Sequence, residues 1–525
     1  MPTARRIAHE FLERRGLTTI FGNPGSNELA FLAGLPDTFR YVLGLHEGVV
    51  VGMADGYAQA TGRPVLVNLH AAAGSGNAMG VLTNAVHSRT PLVLTAGQQV
   101  RPAIGLEVML ANADATQLMR PLVGWAGEPS CAADVPRSLA QAVFEAELQR
   151  RPTYLSVPYD DWSAELDENA AATLERTVQR ALVPSEAQLT GLAETLAGAE
   201  NPALVLGGDL DTPELFERVV AFAEHRQLPV WLAPSPHRLP FPNRHPLFRG
   251  VLAAGIAGVS DALAGSDLVL VLGAPVFRYH QHVPGAYLPE GTRLVQITDD
   301  AGAAARAPVG EALVADPGPV LAELHARLPA RPRGESAFTP NPPPATAEGV
   351  LHPEQVFAAL RETQPADTRY VVESTSTHGS WWRQADLRHP GSYFFPAAGG
   401  LGFGLPAAVG VGLADADRPV VCVVGDGSAN YGITALWSAA QYGVPVTFVV
   451  LRNGSYGALR WFGDLQGIPD VPGTRIPGLD FTAIATGYGV PAIAVTALDD
   501  LRAQLKTAPA GPRLIQVDTA PTSLD

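Results

Sequence analysis

The fold of this chain is predicted most directly by the stretch Val420-Val421-Cys422-Val423-Val424-Gly425-Asp426-Gly427. Its apolar run follows Pro419 and indicates a parallel strand that is buried on both faces. The carboxylate of Asp426 comes directly after this strand, between glycines that allow a ligand to approach the backbone. A second apolar run covers 446–451 and ends at Asn453-Gly454-Ser455. The two runs therefore predict neighbouring parallel strands connected by a helix.

Because parallel strands end at the same edge of a sheet, Asp426, Asn453 and the backbone carbonyl of Ser455 should lie close together. Such an all-oxygen set suits Mg²⁺, with Ca²⁺ as the alternative. Each Gly-containing segment is also typical of a tight turn, and either one alone would favour that interpretation. Their combination after two buried strands favours the metal site.

The composition sets limits on the fold and on the partners. A chain of 525 residues exceeds the size of a single core and predicts several domains. The net charge of −15 argues against nucleic acid and anionic membranes as partners. Only two cysteines occur, which argues against a disulfide framework and predicts a cytoplasmic location. Residues 1–15 have the pattern of an amphipathic helix, not of a signal peptide, and the apolar runs are too short to span a membrane.

Buried-strand patterns alternate with helical patterns along most of the chain, which predicts α/β domains with doubly wound parallel sheets. A proline-rich segment at 331–347 predicts an extended linker. We therefore expect three domains, at 1–180, 181–340 and 341–525. The predicted strands are 18–21, 41–45, 65–69, 92–95, 154–157, 203–206, 230–232, 268–272, 294–297, 370–372, 420–424, 446–451 and 514–517.

Four polar residues outside the metal motif are candidates for a site. Ser26 either caps a helix or points into a cleft, and the cap is the simpler interpretation. Glu47 stands in an apolar, glycine-rich segment, so it either starts a helix or lines a cavity where it exchanges protons. His70 follows a predicted buried strand, where open α/β sheets place ligand-contacting groups. His280 lies in a predicted loop and carries little weight by itself.

The segment Gly74-Ser75-Gly76-Asn77-Ala78-Met79-Gly80 invites a dinucleotide-binding interpretation. The third glycine comes one position late, and residues 95–98 contain no acidic residue at the expected distance. A nucleotide-dependent dehydrogenase is therefore disfavoured.

The motif formed by Gly425-Asp426-Gly427 and Asn453 resembles the metal and diphosphate motif of thiamine-diphosphate enzymes, although Arg452 replaces the first of the usual two asparagines. Nearly the whole chain is similar to the thiamine-diphosphate-dependent 2-oxo-acid decarboxylases of the benzoylformate type. Further motifs that carry this resemblance are Phe21-Gly22-Asn23-Pro24-Gly25-Ser26-Asn27-Glu28, Asp55-Gly56-Tyr57-Ala58-Gln59-Ala60, Leu155-Ser156-Val157-Pro158-Tyr159-Asp160-Asp161-Trp162, Glu373-Ser374-Thr375-Ser376-Thr377 and Tyr456-Gly457-Ala458-Leu459-Arg460-Trp461-Phe462.

The resemblance implies a pyrimidine-binding first domain, a cofactor-free middle domain and a diphosphate- and metal-binding third domain. It also implies homodimers or homotetramers with active sites between subunits. The expected catalytic residues are Glu47, His70, His280 and Ser26. The expected contacts of thiamine diphosphate are Glu47, Thr375, Gly399, Leu401, Gly425, Ser428, Tyr431 and Tyr456. The expected walls of the substrate pocket are Phe395, Ala458, Leu459 and Phe462.

The implied activity is the non-oxidative decarboxylation of an aromatic 2-oxo acid, benzoylformate, to the aldehyde and CO₂. Two alternatives remain open at this point. One is a carboligase or synthase of the same superfamily, or a decarboxylase of another 2-oxo acid. The other is a non-catalytic binding module, which the presence of Glu47, Asp426, Asn453 and both histidines disfavours.

Overall fold

The protein contains three sheets of six parallel strands each. The computed structural model describes residues 1–280, 282–332, 334, 338–468 and 471–521. Each sheet is doubly wound, because its strand order runs both ways from a strand near the start of the domain. The expected fold class is therefore confirmed.

The first sheet has the order β2-β1-β3-β4-β6-β5. Its strands are β1 (Thr19–Gly22), β2 (Arg40–Leu43), β3 (Val65–Leu69), β4 (Leu92–Gln98), β5 (Trp125–Gly127) and β6 (Thr153–Pro158). Its helices are α1 (Ala4–Arg14), α2 (Leu29–Leu32), α3 (Glu47–Thr61), α4 (Ala71–His87), α5 (Arg101–Ile104), α6 (Ala115–Met119) and α7 (Val135–Gln149). The helix predicted at the start of the chain is thus present as α1.

The second sheet has the order β12-β11-β10-β7-β8-β9. Its strands are β7 (Pro202–Leu206), β8 (Val230–Leu232), β9 (Phe248–Val251), β10 (Leu268–Leu272), β11 (Arg293–Thr298) and β12 (Glu311–Val314). Its helices are α8 (Glu186–Gly198), α9 (Pro213–Arg226), α10 (Ile256–Ala262), α11 (Ala301–Arg306) and α12 (Pro317–Arg327).

The third sheet has the order β14-β13-β15-β16-β18-β17. Its strands are β13 (Arg369–Glu373), β14 (Tyr393–Phe394), β15 (Val420–Gly425), β16 (Val446–Arg452), β17 (Ala492–Val495) and β18 (Arg513–Asp518). Its helices are α13 (Pro353–Thr363), α14 (His378–Gln384), α15 (Gly404–Ala414), α16 (Asp426–Ala429), α17 (Ala435–Gln441), α18 (Gly457–Leu465), α19 (Phe481–Gly487) and α20 (Leu498–Lys506). Short 3₁₀ helices lie at Ala132–Asp134, Asp161–Ser163, Glu168–Glu175, Gly208–Leu210, Thr375–Thr377 and Asn430–Gly432.

The segment predicted as a linker contains no helix or strand in its described part, 331–332, 334 and 338–347. Positions 333 and 335–337 of that prediction lie outside the described residues. The described part is hydrogen-bonded to both neighbouring domains: the Thr339 amide donates to the Arg244 carbonyl, and the Asn341 side chain donates to the Gln384 carbonyl. The segment is therefore packed along the protein.

The domains are joined by continuous packing. Helix α3 of the first domain packs on α15 of the third, where Gly56 and Gly410 allow backbone contact. Arg238 joins all three domains: its Nε donates to Asp211, its guanidinium donates to the Gln59 carbonyl, and it stacks over Phe394 at 4.3 Å. In the described part of the chain, no helix is long and apolar enough to cross a membrane.

Candidate functional site

Three predicted site residues lie at the carboxyl edge of the first sheet. Ser26 follows β1, Glu47 begins α3 directly after β2, and His70 follows β3. These three strands are neighbours in the order β2-β1-β3, so their carboxyl ends meet. The structure therefore brings Ser26, Glu47 and His70 to one edge, and we call them with Glu28 the first-domain cluster.

Glu47 is buried, with 7 % of its surface exposed, as its apolar neighbourhood predicted. The Asn23 side chain donates to its Oε1 at 3.1 Å, and the Asn77 side chain donates to its Oε2 at 3.0 Å. The helix cap is the His46 side chain, which accepts from the Gly48 amide. Glu47 thus stands at the helix start without capping it, and two amides fix the orientation of its carboxyl group.

Ser26 is exposed and does not cap a helix, because α2 begins only at Leu29 and has no side-chain cap. The prediction that Ser26 caps a helix is therefore wrong, because Asn27 and Glu28 separate it from the first residue of α2. His70 is partly exposed, and its Nδ1 lies 2.7 Å from Oε2 of Glu28.

The metal motif forms a second group at the carboxyl edge of the third sheet. Asp426 follows β15 and Asn453 follows β16, and these strands are paired as predicted. Asp426 is 2 % exposed, and its carboxylate accepts from the amides of Gly427, Asn453 and Gly454 at 2.7–3.0 Å. Burial raises the pKa of the Asp426 carboxyl above its usual range, in spite of these amides. A buried anion of this kind suits a bound cation.

The other predicted metal ligands, Asn453 and Ser455, lie on the turn whose amides donate to Asp426. The Asn453 side-chain oxygen accepts from the amide of Ser455 at 2.9 Å, which holds the 453–455 turn. Among the described residues, no cluster of three His, Cys, Asp or Glu side chains could hold a metal. A cation here would therefore depend on one carboxylate with amide and backbone oxygens, which is the chemistry that Mg²⁺ accepts. The donor set fits the expected ion.

The predicted diphosphate contacts surround this turn. Gly425 ends β15, Ser428 is buried in α16, and Thr375 begins a short helix after β13. The Tyr456 hydroxyl lies beside the Tyr431 hydroxyl, which raises the pKa of Tyr456. Small and hydroxylated residues therefore line the loop next to Asp426, as a diphosphate group requires.

The loop with Gly399 and Leu401 is held by residues distant in sequence. Gly399 has a φ of +72°, a left-handed conformation that favours glycine. The Asn84 side chain of the first domain accepts from the Ala398 amide at 3.0 Å and donates to the Gly400 carbonyl at 2.8 Å.

On the other side of Leu401, the buried Glu373 carboxylate accepts from the amides of Gly402, Phe403 and Gly404. Burial raises the pKa of Glu373 to about 7. The Asn84 side chain and the Glu373 carboxylate therefore hold this loop through hydrogen bonds on the two sides of Leu401.

The predicted pocket residues divide into two groups. His280 and Phe462 meet edge to face, with ring centroids 4.9 Å apart. Leu459 and Ala458 lie on the same helix, α18, and Leu459 is 53 % exposed. Phe395 is buried and stacks on His378 at 5.0 Å, so much of its ring is already covered. The open apolar wall is therefore the α18 side.

The corresponding edge of the second sheet is held by ion pairs. Asp209 follows β7 and Asp299 follows β11, and Arg89 of the first domain donates to both carboxylates. Arg180 also donates to Asp299, at 2.8 Å. The side chains at this edge therefore join the first and second domains.

Several residues of the site were missed by sequence reasoning. Asn23 and Asn77 orient Glu47, Glu28 contacts His70, and Asn84 and Glu373 hold the Leu401 loop. Asn77 lies in the glycine-containing segment 74–80, and Asn23, Glu28 and Glu373 lie in motifs that carry the family resemblance. The sequence near each of them does not indicate its partner, because each of these residues contacts a residue far away in the sequence.

The hydrogen bonds of Glu47 and of Asp426 stay within their own clusters. One chain thus presents two groups of site residues, one at the carboxyl edge of the first sheet and one at the carboxyl edge of the third.

Comparisons with known proteins agree with this division. Residues 2–118 match the thiamine pyrophosphate enzyme N-terminal TPP binding domain, 189–324 the central domain and 374–518 the C-terminal TPP binding domain. The chain is 56 % identical to benzoylformate decarboxylase of Pseudomonas aeruginosa over 525 residues, which covers 99 % of both chains.

Two solved structures are similar over 99 % of both chains. A thiamine diphosphate-dependent 4-hydroxybenzoylformate decarboxylase of Rhodococcus jostii RHA1 superposes with a TM-score of 0.97 at 55 % identity. Benzoylformate decarboxylase of Polynucleobacter necessarius superposes with a TM-score of 0.95 at 36 % identity. The chain therefore belongs to the benzoylformate decarboxylase family of thiamine pyrophosphate enzymes.

Proposed function

We propose that this protein decarboxylates benzoylformate to benzaldehyde and CO₂ with thiamine diphosphate and Mg²⁺. The observation that carries the proposal is the near full-length identity to the Pseudomonas aeruginosa enzyme. The two clusters described above support it, because they supply the acid–base and the anion-binding groups that such a reaction requires.

Bound thiamine diphosphate supplies a nucleophilic carbon and an electron sink for the decarboxylation. The Glu47 carboxyl group holds a proton at the pyrimidine ring, and Asn23 and Asn77 keep that group in place. Asp426, Asn453 and the carbonyl of Ser455 hold Mg²⁺, with Gly425, Ser428 and Thr375 next to the diphosphate. Leu401 would support the bound cofactor, and the Gly399 carbonyl would accept a hydrogen bond from the cofactor's amino group.

The histidines and the serine act on the substrate. His70 donates a proton to the keto oxygen of the 2-oxo acid as that oxygen becomes negative. The Ser26 hydroxyl, exposed at the same edge, binds the substrate carboxylate. His280, next to Phe462, would donate the proton that the aldehyde product gains at its carbonyl carbon. Proton transfers of this kind contribute ~10²–10⁴-fold each.

The aryl ring packs against the apolar wall of Ala458, Leu459 and Phe462. An aryl group gains ~25 cal/mol per Å² of buried apolar area there, whereas the methyl group of pyruvate leaves most of the wall uncovered. A second carboxylate would find only Arg460 as a basic partner in this segment. Benzoylformate is therefore the expected substrate.

The test is CO₂ release from a panel of 2-oxo acids, with and without thiamine diphosphate and Mg²⁺. We expect a higher kcat/KM for benzoylformate than for pyruvate. Ala458→Phe should narrow that difference by filling the space of the ring, while the control Ala458→Ser should preserve it. A higher kcat/KM for pyruvate in the unmodified enzyme would contradict the aryl pocket and leave the cofactor assignment intact.

We further propose that the active site forms between two copies of the chain. Apolar residues are exposed in the segment that follows β4 of the first domain, Met109 at 85 % and Leu106 at 75 %, and on α18 of the third, Leu459 at 53 %. Exposed apolar surface of this kind is typical of an interface. The first-domain cluster of one chain then faces the Asp426 group of the next, in a homodimer or homotetramer.

Mixing two inactive variants tests this assembly. In a mixed dimer of Glu47→Gln and Asp426→Ala, a site between subunits combines both defects in one site and leaves the other intact. Random mixing after dissociation should restore about a quarter of the wild-type activity, since half of the dimers are mixed. Sites within one chain would show no recovery. A cytoplasmic location and a middle domain without cofactor stay predictions.

A further inference from the structure

Glu28 is a buried glutamate of the first-domain cluster whose carboxylate is fully engaged. Its Oε1 accepts from the amides of Gly97 at 2.8 Å and Ala71 at 3.3 Å. Its Oε2 accepts from the amide of Gly25 at 2.9 Å and lies 2.7 Å from Nδ1 of His70. The side chain has no exposed surface. Three backbone amides therefore fix this carboxylate against one histidine.

This contact decides which ring nitrogen of His70 carries a proton. An ionised carboxylate only accepts hydrogen bonds, so Nδ1 must be the donor. The other nitrogen, Nε2, is then the one available to a ligand. The imidazole is 23 % exposed, whereas Glu28 is completely covered, so the pair has one buried and one accessible end.

The backbone next to His70 is strained, which indicates that the surrounding structure holds the histidine in place. Ala71 has a φ of +42°, a left-handed conformation that costs ~1–2 kcal/mol in a residue with a Cβ. Its amide is one of the donors to Glu28. A side chain at Gly25 would overlap the His70 ring, and one at Gly97 would overlap the Glu28 carboxylate. The strained backbone at Ala71 and the close packing at Gly25 and Gly97 therefore both hold the Glu28–His70 pair in place.

We propose that Glu28 is a positioning residue for catalysis, which keeps the Nδ1 proton on His70 and stabilises the imidazolium form that donates from Nε2. The inference rests on the proposed role of His70 in benzoylformate decarboxylation. Glu28 acts through His70 and touches neither substrate nor cofactor.

Among the titratable groups described near His70, Glu28 is the charged group that contacts its ring. Tyr41 on β2 and Tyr154 on β6 both feel the Glu28 carboxylate, but burial raises the pKa of Tyr41 and brings the pKa of Tyr154 to about 12. Both phenols are therefore neutral at working pH. Two other carboxyl groups lie on the neighbouring elements: the Asn23 and Asn77 side chains donate to Glu47, and the Gln98 and Ser156 side chains donate to Glu128, which also acts on Tyr154.

The test is Glu28→Gln in the holoenzyme. The carboxamide keeps the size, and its oxygen can still accept from the amides of Gly97 and Ala71. Its NH2 group then faces Nδ1 and donates to it, with loss of the hydrogen bond from the Gly25 amide. The ring becomes a neutral Nε2–H tautomer and loses the adjacent negative charge. We expect kcat/KM for benzoylformate to fall ~10²-fold. The alkaline limb of its pH profile should move to lower pH, because the ring loses the adjacent negative charge.

Glu354→Gln is the matched control. Glu354 is equally a buried, hydrogen-bonded glutamate, but it lies on α13 and contacts Arg383 and Gln384. The Glu354→Gln variant should leave the pH profile of kcat/KM unchanged. In the His70→Ala background, Glu28→Gln should cost less than about twofold, since a residue that acts through His70 has no further effect there.

Three outcomes would overturn the inference: an unchanged pH profile in Glu28→Gln, a full ~10²-fold loss in the His70→Ala background, or a shift in Glu354→Gln as large as in Glu28→Gln. An inactive wild-type enzyme would instead contradict the proposed function.

If Glu28→Gln does not fold, solid-state NMR of wild-type protein with ¹⁵N-labelled histidine answers the same question. A protonated Nδ1 signal that disappears in His70→Ala supports the inference, and an Nε2–H tautomer for neutral His70 overturns it.

Discussion

Gly410 lies where α15 of the third domain packs on α3 of the first, and its replacement by alanine should weaken that contact. A methyl group at this position would overlap the carbonyl oxygen of Met53 and lie 2.8 Å from the backbone nitrogen of Tyr57. Both atoms belong to the backbone of α3, so no side chain can rotate away. The two helices must separate for Gly410→Ala to fit.

The expected magnitude follows from two opposing effects. Overpacking of a close contact costs ~1–3 kcal/mol, and a rigid backbone neighbour favours the upper part of that range. Replacing a glycine inside a helix by alanine gains ~0.5–1 kcal/mol. We therefore expect Gly410→Ala to lose ~1–2 kcal/mol of unfolding free energy, which lowers Tm by ~2–8 °C for a domain of this size.

Gly191→Ala isolates the contact, because Gly191 stands inside α8 with open space where its methyl group would lie. This control should show only the helix gain and a slightly raised Tm. Differential scanning calorimetry of both variants with thiamine diphosphate bound gives the comparison. A Tm of Gly410→Ala at or above that of wild type would refute the reasoning.

Three further changes have clear expected results. Asp426→Ala should abolish retention of thiamine diphosphate with Mg²⁺, and unchanged binding by calorimetry would contradict the metal assignment. Glu47→Gln should bind the cofactor but slow deuterium exchange at its C2 by ~10²-fold or more, and a wild-type exchange rate by NMR would make Glu47 structural. Arg238→Met should cost ~3–5 kcal/mol because it leaves the buried Asp211 carboxylate unpaired. Adding Asp211→Asn should recover much of that loss in urea unfolding, and no recovery would show that the ion pair is not the cause.

The strands that lie inside the three sheets were predictable from the sequence. Val65–Leu69, Val230–Leu232 and Leu268–Leu272 have the predicted bounds, and the other predicted strands differ by a few residues. Their apolar runs are long because helices cover both faces of each sheet. The pattern therefore identified the α/β class and the order of its elements.

Five strands were not predicted, and all of them lie at the outer edge of a sheet. They are Trp125–Gly127, Phe248–Val251, Glu311–Val314, Tyr393–Phe394 and Ala492–Val495. An edge strand pairs on one side only and is partly exposed, so its sequence needs no continuous apolar run.

Local motifs also identified the residues of both candidate clusters. Asp426 and Asn453 follow buried strands that pair as expected, and Glu47 is buried as its apolar neighbours indicated. In each of these cases the informative residues are close in the sequence to the strand or helix that positions them. Periodicity and turn chemistry are local properties, and a single sequence displays them directly.

What orients the site residues was decided by the tertiary structure alone. Glu28 meets His70 from the end of another strand, and Asn84 reaches Gly400 from a different domain. Such pairs arise because parallel sheets bring the carboxyl ends of distant strands together, and because α3 and α15 pack backbone to backbone. Nothing in the sequence near either partner specifies the other. The sequence therefore determined which groups could take part in the chemistry, and the packing of the domains determined which of them meet.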